Sequence, residues 1–176
     1  MANAFSFRCG MALCVMLMPW PVSAAMEEPV ACSAPAELAQ PFLSWRDPIA
    51  LQAASTRKGT AKANLSAGQA AALTLLPTPE VAYVLRPEKP GGSVSFGGLA
   101  RFVVPTAAVW RVALGSGAWV DVVKDGKAQP SVAHGHGPQC SGIRKMVDYE
   151  LQPGSYTLQI SANGEDRLTV LVTPLQ

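Results

Sequence analysis

LQPGSYTLQI, residues 151–160, sets the fold class. Pro153 and Gly154 form a turn, because proline presets φ and glycine accepts conformations other residues avoid. Beyond the turn the residues alternate. Tyr156, Leu158 and Ile160 share one side of an extended chain, and Ser155, Thr157 and Gln159 share the other. That alternation predicts a strand with one buried and one wet face, as in an antiparallel sheet. Tyr156 stands just inside the strand, where its hydroxyl can bond back to the backbone of the connection. The arrangement resembles the tyrosine corner of Greek-key sandwiches; the alternative is a tyrosine in an ordinary strand, and either way Pro153, Gly154 and Tyr156 have a structural role.

The same pattern extends in both directions. RLTVLVTP follows. Upstream, IRKMVDYEL puts Ile143, Val147, Tyr149 and Leu151 on one face, with Lys145 as a polar intrusion that suggests an edge. AWVDVVKDGK carries Asp125-Gly126, a hairpin-turn pair. AVWRVALGSG and SVSFGGLARFVVP read as strands, the latter with Gly97-Gly98 as a bulge or bend. EVAYVLRPEKPGG reads as a strand ended by a Pro-Gly turn, and AALTLLPT as the first strand of the series. Seven to nine such strands in one domain predict an all-β antiparallel sandwich, jelly-roll-like, with a Greek-key connection.

The N-terminal part reads differently. MANAFSFR carries Arg8, CGMALCVMLMPW is apolar, and PVSAA supplies small residues: the order of a secretory signal peptide cut after Ala24. The apolar run is too short to span a bilayer, so no integral span is expected after cleavage. The expected address is the periplasm or the exterior, with a lipoprotein at Cys32 as a minor alternative. Residues 25–65 read as a Pro- and Ala-rich arm and irregular segment, with a helical turn at AELAQ and Trp45 docking it; the stretch ALQAASTRKGTAKANLSAG, from Ala50 to Gly68, reads as strand plus loop. Residues 66–176 form the sandwich domain.

Charge and cysteine usage narrow the function. With 14 Lys and Arg against 12 Asp and Glu and no basic cluster, the chain does not read as a nucleic-acid binder. Cys9 and Cys14 fall within the signal. Cys32 and Cys140 remain, and two cysteines in an exported protein predict one disulfide.

HGHGPQC, residues 134–140, holds both histidines of the chain. In extended backbone His134 and His136 face the same way and can grip one copper or zinc ion, with Cys140, Met146, Asp148 or Glu150 as further donors. The competing reading is a glycine-rich loop stapled by Cys140, with no cofactor. Asp121 and Asp125 are candidate calcium ligands, otherwise turn acids. Trp110 and Trp119 are core residues or a sugar-stacking surface.

From GAWVDVV through SVAHGHGPQCSGIRKMVDYELQPGSYTLQI the chain resembles a group of small exported proteins of Gram-negative bacteria. The resemblance covers the C-terminal half, from Phe102 on. The PG-x-Y strand near the end is also similar to the pre-peptidase C-terminal type of sandwich, an accessory module of secreted proteins. Members of the first group sometimes carry the label homogentisate 1,2-dioxygenase, which implies iron held by two histidines and a glutamate in a cupin. The cupin pattern wants Glu shortly after His-x-His and glycine six residues before it; here Cys140, Ser141 and Ala128 stand there. The expectation is therefore a non-catalytic binding or structural module of the envelope, with a protein or glycan partner. The alternatives are a copper- or zinc-binding protein and, disfavoured, a metal-dependent dioxygenase.

Overall fold

A computed structural model describes residues 31–175. The signal-peptide reading of residues 1–24 lies outside them. The described chain is an all-β sandwich of two sheets. The strands are β1 (Ile49–Gln52), β2 (Ala71–Thr74), β3 (Leu76–Pro77), β4 (Phe96–Val104), β5 (Ala108–Leu114), β6 (Trp119–Lys124), β7 (Lys127–Ala128), β8 (Ser131–Gly135), β9 (Lys145–Leu151), β10 (Gly154–Asn163) and β11 (Arg167–Pro174). One sheet runs β1-β2-β11-β5-β9-β8, the other β3-β4-β10-β6-β7. Every pairing is antiparallel except β1 with β2. The connections from β4 to β5, β5 to β6, β9 to β10 and β10 to β11 each cross from one sheet to the other, which is what brings sequence-distant strands side by side.

The turn at Pro153-Gly154 forms as expected. Tyr156 Oη donates to Gln152 O at 2.7 Å, tying the connection to the strand that follows it. The Tyr156 ring stacks on Phe102, directly opposite on β4, with centroids 5.5 Å apart. Phe102 in turn meets Trp110 of the other sheet at 6.4 Å. Asp125 and Gly126 both have positive φ and make the two-residue turn between β6 and β7, as their pairing predicts.

The cysteines also behave as expected. Cys32 and Cys140 are bonded, with Cα atoms 5.6 Å apart. The bond anchors the arm to the outer face of the six-stranded sheet, where Trp45, Ala70, Ala113, Ile143 and Leu171 form a second apolar cluster joined by Leu38 and Phe42. Trp45 docks there; the helical turn lies at Leu43–Arg46 rather than at AELAQ. The sheet also takes in β1, at the start of the segment read as strand plus loop.

Three local expectations are corrected. Residues 80–92 form no strand. Pro87 and Pro90 deny the segment backbone donors, and it runs as a strap over the outer face of the five-stranded sheet. There Gln159, expected to be wet, is buried and bonds Leu85 twice: Leu85 N to Gln159 Oε1 at 2.9 Å and Gln159 Nε2 to Leu85 O at 3.2 Å. Ser161 Oγ donates to Lys89 O at 2.8 Å. The bulge predicted at Gly97-Gly98 falls on the partner strand, between Ile160 and Asn163. Gly97 itself leaves the space that the Tyr83 hydroxyl occupies. Finally, Ile143 precedes β9 and turns to the outer cluster, while Val147, Tyr149 and Leu151 face the core.

Tyr156→Phe removes one hydrogen bond and strands a carbonyl while keeping the ring in place. The expected result is a loss of about 1–2 kcal/mol in urea unfolding with an unchanged m-value. Unaltered stability would show that the corner bond contributes nothing.

Candidate functional site

The strand β6 has a full-length neighbour, β10, on one side only. On its other side β7 covers just Val123 and Lys124. The exposed carbonyls of β6 and the residue before it are met by single groups instead. Lys145 Nζ donates to Ala118 O at 2.9 Å, Tyr149 Oη to Val120 O at 3.5 Å, and Gln129 N to Val122 O at 2.8 Å. Because no strand fills this edge, a pocket of about 680 Å³ opens between β6, the strap, and strands β8 and β9. His134, His136 and Ser131 line it from the β8 side, Lys145 and Tyr149 from β9, Trp119 and Asp121 from β6, and Glu88 and Lys89 from the strap.

Trp119 is the centre of this pocket. Its Nε1 donates to Asp121 Oδ1 at 3.0 Å, while Asp121 Oδ2 receives Gln159 Nε2 at 3.2 Å. The ammonium groups of Lys89 and Lys145 each lie 5.4 Å from the Trp119 ring centroid, within cation–π range. Burial and the nearby Lys89 charge lower the Lys145 pKa, with Asp121 opposing them. Burial, and secondarily the Asp121 charge, push the Tyr149 phenol above the usual tyrosine range.

The two histidines share the pocket but not the ligand set foreseen for them. His134 pairs with Val147, whose side chain faces the core, so it belongs to the inner face of its sheet. His136 lies beyond the strand, with Nδ1 at 2.8 Å from Arg144 O. A carbonyl only accepts, so Nδ1 carries the proton and Nε2 is left as the available nitrogen of the neutral ring. Cys140 is closed in the disulfide. Met146 belongs to the outer cluster. Asp148, on that same outer face, is gripped by Arg111 in a two-bond pair, both at 2.7 Å. Glu150 alternates onto that face as well. The donors proposed to complete a metal site therefore sit across the sheet from His134. Among the described residues, no three of His, Cys, Asp and Glu gather to hold a metal, so a two-histidine, one-glutamate iron centre does not fit this arrangement. Asp121 and Asp125 do not meet either: one serves Trp119 and the other the hairpin turn.

Trp110 and Trp119 do not form one surface. Trp110 is core, 2% exposed, and Trp119 stands on the far face of the other sheet. The convergence of Lys89, Lys145 and Trp119 has no signature in the sequence, since the three come from separate elements. The one hint is Lys145, a charged residue at an otherwise apolar position. It does not lie on an edge strand, because β9 sits between β5 and β8; it reaches instead to the unfilled edge of β6.

The fold and site together define an all-β sandwich with the Cys32–Cys140 disulfide and a cationic, tryptophan-centred pocket. Comparison with protein-family models, with curated proteins and with solved structures finds no match. Among the described residues no helix is long and apolar enough to cross a membrane.

Tyr149 gives the site a pH signature. Its unfolded form titrates near 10.0, whereas the folded form holds its proton to higher pH. Above pH 10 the folded state therefore binds more protons than the unfolded one, and stability falls as pH rises toward the folded value. Tyr149→Phe removes this contribution, so its loss of stability between about pH 9 and about pH 11 is expected to be shallower than in the parent. An equal loss of unfolding free energy between those pH values in Tyr149→Phe and the parent would refute the burial argument.

Proposed function

We propose that the protein is an exported, non-catalytic binding module of the cell envelope, and that the pocket around Trp119 is its ligand site. The observation that supports this is the unfilled edge of β6: a sandwich that left this edge open for no purpose would expose an indole and two ammonium groups with no packing return. The pocket offers what a binding site needs, an aromatic surface with a few polar groups directed into it.

A screen of polar fragments followed by NMR is expected to shift the Trp119 indole resonance. Trp119→Ala should weaken the best fragment about tenfold or more with the far-ultraviolet spectrum unchanged, because this tryptophan lies outside the apolar core. Fragments that bind only elsewhere, or not at all, would sink the pocket reading.

His136 supports a second reading, binding of copper or zinc. A ligating histidine usually donates its other ring nitrogen to a carbonyl or carboxylate, and Nδ1 here meets Arg144 O. Water or the bound ligand would complete the coordination. Native mass spectrometry after adding zinc or copper is expected to show one ion per chain in the parent and none in the His134→Ala, His136→Ala variant. Equal loading of both proteins would overturn it.

A further inference from the structure

Three cations face the pocket: Lys89, Arg144 and Lys145. Among the described residues the one ion pair is Arg111 with Asp148, on the outer face of the other sheet, so none of the three has a carboxylate partner within ion-pair distance. Two carboxylates also line the pocket. Asp121 already has both oxygens engaged, by Trp119 and by Gln159. Glu88 is exposed on the strap next to Lys89. Lys89 and Lys145 thus gather at a single indole, and among the described residues neither is ion-paired; Asp121, bonded to that indole, offsets part of their charge only through space.

Two ammonium groups held at one ring repel each other, and the repulsion grows as water is withdrawn. Cation–π attraction and one backbone carbonyl hold them there, but neither neutralises charge. An oxyanion placed between the two Nζ atoms would turn the repulsion into two charge-assisted hydrogen bonds. Gln129, Ser131 and Tyr149 also line the pocket, the Tyr149 hydroxyl bonded to Val120 O and the Gln129 amide nitrogen to Lys127 O. At about 680 Å³ the cavity exceeds what a bare inorganic anion fills and suits a sugar ring with its hydroxyls.

We infer that the pocket binds an acidic saccharide, with the carboxylate or sulfate of the sugar seated between Lys89 and Lys145 beside Trp119. This rests on the pocket being the ligand site, as proposed above. The bond is non-covalent and fully reversible, and its strength falls with salt.

The test titrates the oxidised, full-length mature chain with trigalacturonate, with neutral maltotriose and with sodium sulfate, following the Trp119 indole resonance. Trigalacturonate is expected to shift it, with a Kd that rises about tenfold between about 0.05 and about 0.5 M NaCl. Lys89→Gln, Lys145→Gln is expected to weaken that binding about tenfold or more, and maltotriose to leave the resonance unmoved. Circular dichroism of the double variant confirms that it is folded. Maltotriose binding as tightly as trigalacturonate, with the double variant unaffected, would overturn the anion assignment and leave the pocket reading standing. Sulfate binding as tightly as trigalacturonate would overturn the saccharide part. No shift with any of the three would overturn the inference outright, while the fragment screen judges the pocket separately.

Discussion

Tyr156, Phe102 and Trp110 form a column that passes from one sheet into the other, and the sandwich is organised around it. Tyr156 and Phe102 are cross-strand neighbours on β10 and β4, so their stacking fixes the register of the central pair of one sheet. Phe102 against Trp110 then sets that sheet over β5 of the other. The column contains one unfavourable group. Trp110 Nε1 is buried and finds no hydrogen-bond partner among the described residues, which costs about 1–3 kcal/mol. Burying an indole of about 200 Å² returns about 5 kcal/mol at 25 cal/mol per Å², so packing outweighs the stranded donor. The Tyr156 hydroxyl, by contrast, is satisfied by the turn that delivers it.

Both sheets have their outer faces covered by irregular chain, and this accounts for the pocket. The disulfide-anchored arm lies over one, and the strap of residues 84–92 over the other. The strap stays in place through backbone bonds to Gln159 and Ser161, side chains that a bare sheet would turn to water. Its far end carries Lys89 to Trp119. Had β7 continued along β6, the carbonyls of Ala118 and Val120 would be paired in a ladder, and Lys145 and Tyr149 would have no edge to cap. The short hairpin and the strap together leave a concave, charged site on a fold whose sheets otherwise bury their surfaces against each other.

Much of the architecture is legible in the sequence because it is local. Alternation over 155–160 and 147–151, the Asp125-Gly126 turn, the corner at Tyr156 and a lone cysteine pair each depend on residues close in the chain or on simple counting. The misread elements depend on distant partners. The strap resembles a strand in composition, yet its prolines and its side-chain anchors on β10 make it something else. Ile143 fits the periodicity of β9 but precedes the strand and follows the arm's cluster instead. Of the site, the sequence marked His134 and His136 and noted Trp119; it did not reveal that Lys89 and Lys145 converge on that tryptophan. Nor did it show that Asp148 and Met146 lie across the sheet from His134, although strict alternation from Val147 contains that information once β8 is known to pair there.

The positions of β10 and β11 have a consequence for how the molecule is made. β10 is the middle strand of one sheet, and β11 lies inside the other between β2 and β5. Each joins elements that have no other connection through hydrogen bonds: β10 links β4 to β6, and β11 links β2 to β5. These two strands are also the latest of the eleven to emerge during synthesis. A nascent chain that has completed β9 still lacks the strand that joins β4 to β6 and the strand that joins β2 to β5, so neither sheet can be complete until the last two strands are made. Several of the pairings made by these strands close long stretches of chain, a topology that slows folding.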